Sequence, residues 1–258
     1  YLFGLLLLIA VALFGEIRHG ARRWLNIGVG RIQPSELMKI AVPMMVAWYF
    51  AKRESSLRWS DYLVGALLVL VPVGLVMKQP DLGTALLILA SGFYVLFLAG
   101  LSWKILVGGA VSAAVMAPIF WSLLHDYQRK RIEILLDPSQ DPLGAGYHTI
   151  QAGIALGSGG FAGKGWLNGT QSQLDFIPER TTDFIFAVFG EEFGLLGNVL
   201  LIIMFGLLIS RGLVIASQAG NTFTRLLAGS ITLTFFTYVF VNIGMVSGIL
   251  PVVGVPLP

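Results

Sequence analysis

An all-α, polytopic membrane bundle of about seven spans with one long polar loop is the fold this sequence predicts, and three observations predict it. Of 258 residues, 56% are hydrophobic and only 12% are charged, where an ordinary soluble domain carries about 25% charged residues. Several apolar runs reach or approach the roughly 20 residues that cross a hydrocarbon core of about 30 Å as helix. Those runs are continuous, whereas strands of a membrane barrel alternate over segments of about ten residues. Cysteine is absent, which excludes disulfide scaffolds and thiolate metal sites. The formal charge of +3 is small and scattered along the chain, so no nucleic acid is expected as a partner.

In chain order, Tyr1 to Gly15 reads as the end of a span. The sequence starts inside an apolar run and stops in a Pro-rich one, with no cleavable signal peptide, and it reads as a fragment of a larger polytopic protein. A polar connection, Glu16 to Gln33, carries Arg18, Arg22, Arg23 and Arg31. Pro34 opens a helix to about Ala51 in which Glu36 and Lys39 are three residues apart and share a face. A charged turn, Lys52 to Asp61, leads to a span from about Tyr62 to Met77. The KQPDLGT break follows: Pro80 stops one helix and Asp81 can cap the next, about Leu82 to Gly100. Further spans are expected from about Trp103 to Leu124, from after Asp183 to near Ser210, and from about Leu226 to Leu250. The terminal PVVGVPLP holds too many prolines for regular helix. Lys and Arg divide almost evenly between alternate loops, so charge alone sets no orientation.

Residues 125–183 form the long loop, and connections of that length are usually functional. Within it, GIALGSGGFAGKGWLNGT looks superficially like a phosphate loop. Gly157 and Gly163 are six apart where that motif needs five, and Lys164 is followed by Gly165, so a nucleotide site is rejected. The glycines are instead expected to let the backbone turn tightly or approach another element closely. His19, His125 and His148 lack any metal-ligand spacing.

Carboxylates near membrane level are the remaining chemical resource, because each is costly there without a partner or a function. Asp183, between Thr182 and a Phe-rich run, stands at the mouth of a helix. Two roles fit it and do not exclude one another: helix cap, and general base toward an alcohol. Glu191 and Glu192 follow eight and nine residues on, roughly 12 to 14 Å along a helix and too far to share its proton. They are expected to be solvated at the interface, with the span proper starting near Leu195.

The segments GARRWLNIGVGRIQPSELMKIAVP, KQPDLGTALLI, HDYQRKRI, DPLGAGYHTIQAGIALGSGGFAGKGWLNGTQSQLDFIPERTTDFIFAVFGEEFGLLG and FVNIGMVSGILPVVGVPLP together resemble the SEDS family (shape, elongation, division and sporulation) over nearly the whole chain. The resemblance implies a ten-helix protein of the bacterial cytoplasmic (inner) membrane. This sequence would supply one membrane domain over 1–258, truncated at both ends, from the third helix to before the tenth. The long loop, the Arg-rich connection, the KQPDLG turn and PVVGVPLP would then all be extracytoplasmic. It further implies a peptidoglycan glycosyltransferase that polymerises lipid II, expelling polyprenyl pyrophosphate, beside a class B penicillin-binding protein and other membrane proteins of the elongation complex. HDYQRKRI and GILPVVGVPLP favour the elongation branch over the division branch. By the same resemblance Asp183, in PERTTDF, matches the essential aspartate and would be the general base. Arg22, Arg23, Arg31, Glu36, Lys39, Asp81, Glu179 and Arg180 would form the substrate-binding set, the first three and Lys39 being cations suited to a pyrophosphate. A divalent cation, Mg or Mn, could assist the leaving group, although no ligand cluster in the sequence marks a site for one. A lipid II flippase and a division-type paralogue are the alternative functions.

Overall fold

The computed structural model describes residues 1–18, 21–26, 28, 30–124, 126–137, 145–173 and 181–258. Its elements run α1 (Leu2–Phe14), β1 (Glu16–Arg18), β2 (Ala21–Asn26), β3 (Arg31–Ile32), α2 (Pro34–Lys52), α3 (Trp59–Met77), α4 (Leu82–Leu98), α5 (Trp103–Leu123), α6 (Asp126–Leu136), α7 (Ala145–Ser158), α8 (Thr170–Gln173), α9 (Ile185–Ser217) and α10 (Thr222–Val246). Helices stand at all seven expected spans. Three of these helices, α3, α9 and α10, are long and apolar enough to cross a membrane by length and composition. A helix is what such runs must form in lipid, because only helices and closed barrels satisfy their own backbone groups there.

Two connections carry more structure than their sequence announces. The Arg-rich one folds into a small antiparallel sheet in the order β1-β2-β3, with Glu16 opposite Trp24 and Leu25 opposite Ile32. Strands this short have no room for a period-two pattern, so cross-strand pairing shows only in three dimensions. The long loop holds α6, α7 and α8.

The chain forms two compact units, residues 1–103 with 209–237, and residues 104–208 with 238–258. In the first, α1 to α4 and the start of α10 share a core of Leu8, Met38, Val42, Val46, Phe50, Val69, Val73, Ile88, Val95 and Leu226. Small residues bring these helices together, as is common where lipid removes the hydrophobic drive between them. A Cβ on Gly92 would run into Val69, and one on Gly65 would meet Phe50 Cε2 at 2.8 Å. Ser230 Oγ donates to the Ser91 carbonyl at 2.7 Å, both residues being buried. The α2–α3 turn is fixed by Asp61, only 1% exposed. Its carboxylate accepts from the Arg58 N–H (2.7 Å), the Tyr49 hydroxyl (2.9 Å) and the Arg53 guanidinium (2.9 Å).

The second unit packs Ala152 and Ala155 of α7 against Phe184, Phe186 and Ala187, with Val246 of α10 completing the cluster. Val107, Val111, Val115 and Ile119 of α5 are exposed, an apolar flank suited to lipid.

Replacing Gly92 by Leu should overpack the α3–α4 contact and lower stability by about 1–3 kcal/mol, measured as a fall in Tm in detergent. Gly74→Ala in the same pair, where a Cβ meets nothing within 4 Å, should leave Tm unchanged or raise it slightly.

Candidate functional site

Asp183 lies half-buried in the turn 181–184 that precedes α9. The turn is anchored from below by Phe184 and Phe186 in the apolar cluster. The Phe184 carbonyl accepts from the Ala187 and Val188 N–H groups at 3.0 and 3.3 Å, and α9 begins at Ile185. The cap position therefore falls on Phe184, one residue after Asp183. From α10, Asn242 donates through Nδ2 to the Asp183 carbonyl at 2.9 Å and to the Val255 carbonyl at 2.8 Å. Asn242 is 0% exposed. One amide nitrogen thus ties the aspartate's backbone to the terminal PVVGVPLP segment. That segment bends back at Gly254 (φ +73), where an added Cβ would sit 3.3 Å from Asp183 Oδ2. The carboxylate rests against bare backbone, a close approach that glycine permits.

Further along α9 the structure corrects the expectation for the paired glutamates. The helix breaks at Gly194 (φ 64, ψ −162), so the long apolar stretch does begin at Leu195. Glu191 and Glu192, however, are not solvated, being 0% and 6% exposed. The glycine-bearing stretch after α7 folds onto the break and exchanges backbone hydrogen bonds with it. Lys164 and Gly165 N–H donate to the Glu191 and Glu192 carbonyls (3.0 and 2.9 Å), while Leu195 and Leu196 N–H donate to the Gly160 and Phe161 carbonyls (2.9 and 3.1 Å). Bonds lost at the kink are replaced by the loop. Gly159 and Gly163 (φ +80) have no room for a Cβ against the Gly190 and Glu192 carbonyls, which is the close approach expected of this stretch.

Glu191 Oε1 then accepts from Lys164 Nζ at 2.7 Å, from the Gln171 N–H at 3.0 Å and from Thr170 Oγ1 at 3.1 Å. A carboxylate held by a cation and two further donors can be buried where an unpaired one cannot. Sequence reasoning missed this node because the partners are 20 to 27 residues away. The available signal was a lone lysine among glycines and two adjacent carboxylates beside another glycine.

The remaining predicted site residues lie in the first unit. Asp81 caps α4 as expected, accepting from the Thr84 N–H at 3.2 Å and the Thr84 hydroxyl at 3.0 Å. Gln33 Nε2 donates at 3.2 Å to Oδ2, the oxygen that also accepts from the Thr84 hydroxyl, and Arg23 Nε stands 3.8 Å from it. Arg23 also donates to the Gln79 and Pro80 carbonyls. Its guanidinium therefore staples the QPDLG turn to β2. Glu36 and Lys39 form the expected pair at 2.6 Å. Arg22 and Arg31, on β2 and β3, are exposed. Glu179, Arg180, His19 and His125 lie outside the described residues. Among the described residues no group of three or more His, Asp or Glu comes together as a metal site would require.

The family model FTSW_RODA_SPOVE, described as cell cycle protein, matches residues 1–258. The chain is 56% identical over 259 residues to the peptidoglycan glycosyltransferase MrdB of Escherichia coli K12, covering 100% of this chain and 70% of that protein. It is 39% identical over 259 residues to MrdB of Helicobacter pylori, covering 98% and 67%. Among solved structures, it is similar to a chain from a study of how a peptidoglycan synthase complex coordinates polymerization and crosslinking. That match has TM-score 0.82 and 35% identity over 99% of this chain and 71% of the other. The rod shape determining protein RodA of Thermus thermophilus matches at TM-score 0.68 and 31% identity over 100% and 68%.

Gly163→Ala should prevent the loop from docking on the α9 break, because both the left-handed backbone and the Glu192 carbonyl oppose a Cβ. Limited proteolysis should show faster cleavage between α7 and α8 than in the unmodified protein.

Proposed function

We propose that this chain, which belongs to the FtsW/RodA/SpoVE family of cell cycle proteins and is a multi-pass membrane peptidoglycan glycosyltransferase, polymerises lipid II with Asp183 as its general base. The observation that carries the assignment of the base is the setting of Asp183: half-buried, at the mouth of α9, its backbone held by Asn242 and its carboxylate against Gly254. A base must be held in one place to meet a hydroxyl at hydrogen-bond distance. Likeness to MrdB and RodA supports the elongation branch.

In the reaction the 4-hydroxyl oxygen of one lipid-linked disaccharide attacks the anomeric carbon of another. Asp183 accepts the hydroxyl proton as the new C–O bond forms. The old bond to the polyprenyl pyrophosphate breaks on the opposite face, and the electron pair leaves with the phosphate oxygen. Arg22 and Arg31, exposed cations with fork geometry, are suited to the pyrophosphate. Arg23 and Asp81, which the family resemblance also places among the substrate-binding residues, hold the QPDLG turn. The Glu36–Lys39 pair, Glu179 and Arg180 complete the set of substrate contacts. A divalent cation, Mg or Mn, would supply charge stabilisation to the leaving pyrophosphate, and among the described residues no three carboxylates or histidines gather to hold one. The enzyme would work in the bacterial inner membrane with a class B penicillin-binding protein that cross-links the product, beside other membrane proteins of the elongation complex.

Asp183→Asn in the full-length protein should abolish glycan polymerisation from purified lipid II while leaving the Tm in detergent within a few degrees. Unchanged polymer from this variant, or lipid II crossing between leaflets with no polymer formed by the unmodified protein, would overturn the proposal. Among the cations the outcomes should divide. Arg22→Ala should raise the KM for lipid II with Tm unchanged, whereas Arg23→Ala should also lower stability, by about 1 kcal/mol for the lost turn contacts.

A further inference from the structure

One end of the first unit has no part in the chemistry just described. The α2–α3 turn lies there, at the opposite end of α2 from the small sheet. The Tyr62 hydroxyl donates to the Ala99 carbonyl at 3.0 Å, which brings the end of α4 beside the start of α3. Gly229 of α10 packs directly on Leu98, so the turn between α9 and α10 stands at the same end. These turns and the helix ends beside them carry Lys52, Arg53, Arg58, Arg211 and Arg225, all exposed. Against those cations stand two acids, Glu54 and the buried Asp61. We propose that this basic end, centred on the α2–α3 turn, is a binding site for the phosphate of an anionic phospholipid.

A cationic surface by itself attracts any anion, but here one guanidinium is set in place beforehand. Arg53 Nη1 donates to Asp61 Oδ1 at 2.9 Å, and the guanidinium lies 5.1 Å from the centre of the Tyr49 ring. The same carboxylate accepts from the Arg58 N–H at 2.7 Å, so Arg53 and the start of α3 are held on one buried group. The other N–H groups of Arg53, on a side chain 51% exposed, have no hydrogen-bond partner among the described residues. Their fork matches phosphate oxygens, and fixing it in advance removes part of the ordering cost of binding. Lys52 adds a second cation, its Nζ 5.1 Å from the centre of the Trp48 ring. The flanks of the two helices identify the occupant as a lipid. Ile40, Met44 and Trp48 recur every four residues along α2, all exposed, and lead to Lys52. Trp59, Leu63 and Leu67, also exposed, run along α3 away from Arg58. Tryptophan favours the headgroup level of a bilayer. Each helix therefore offers a track for an acyl chain that ends in an indole and then a cation, which a phospholipid fills and a free phosphate does not.

The test is native mass spectrometry of the full-length protein in detergent, titrated with phosphatidylglycerol and separately with phosphatidylcholine of the same acyl chains. Lys52→Gln and Arg58→Gln, singly and combined, and Arg53→Lys are compared with the unmodified protein, and Tm is measured for each. The unmodified protein should bind phosphatidylglycerol more tightly than phosphatidylcholine. That preference should fall about fivefold for each cation removed and shrink as salt rises from about 0.05 M to about 0.5 M. Arg53→Lys, which keeps the charge beside Asp61 and loses the fork, should weaken phosphatidylglycerol and leave phosphatidylcholine unchanged. The single variants and Arg53→Lys carry the reading should the combined variant unfold. Equal affinity for the two lipids, or a preference unchanged in the folded variants, would overturn the proposal. Full displacement of phosphatidylglycerol by millimolar inorganic phosphate would overturn it as well, because the site would then be one for a free anion.

Discussion

A polar group in or beside the hydrocarbon must find its partner within the protein, because lipid offers none, and the rest of this structure depends on that constraint. Where α9 breaks at Gly194, the freed backbone groups would be costly. The Gly160–Gly165 loop supplies the missing donors and acceptors. Once the loop is there, Lys164 arrives beside Glu191, and a carboxylate that would otherwise need water becomes the anchor for Gln171. Asp61 obeys the same rule in the first unit, where a main-chain N–H, a phenol and a guanidinium let it be buried at the head of α3.

The polar side chains divide into those that hold and those that are left to act. Asn242 through its amide nitrogen, and Glu191, Asp61 and Asp81 through their carboxylates, are committed to fixing a turn or a helix end. Arg23, one of the cations that the family resemblance suits to the pyrophosphate, also holds a turn, through the Gln79 and Pro80 carbonyls. Arg22, its neighbour on β2, points the other way because strand side chains alternate, and remains exposed. A glycosyl transfer needs both kinds. In the proposed reaction the base must be rigid enough to meet one hydroxyl, and the cations accessible to the pyrophosphate.

Glycine makes the close fits possible at two places that matter. Gly163 lets the loop lie directly on the Glu192 carbonyl, and Gly254 lets the terminal segment lie against Asp183. Both have positive φ, so each also sets the direction in which its segment turns.

By itself the sequence determined the helical membrane fold, the positions of the seven apolar helices, the Asp81 cap, the Glu36–Lys39 pair and the start of an uninterrupted apolar helix near Leu195. Each of these follows from neighbours within a few residues, or from the length of an apolar run set against a bilayer. The motif resemblance added Asp183 and the family. Tertiary structure alone decided what Glu191, Asn242 and Arg23 do, since they reach partners 20 to 59 residues away. It also decided that the Arg-rich connection pairs into a sheet, and that two adjacent glutamates are buried instead of solvated. The physical reason is that a hydrogen bond or a buried charge is a statement about what excludes water at one point in space. Only the folded chain brings those groups to that point.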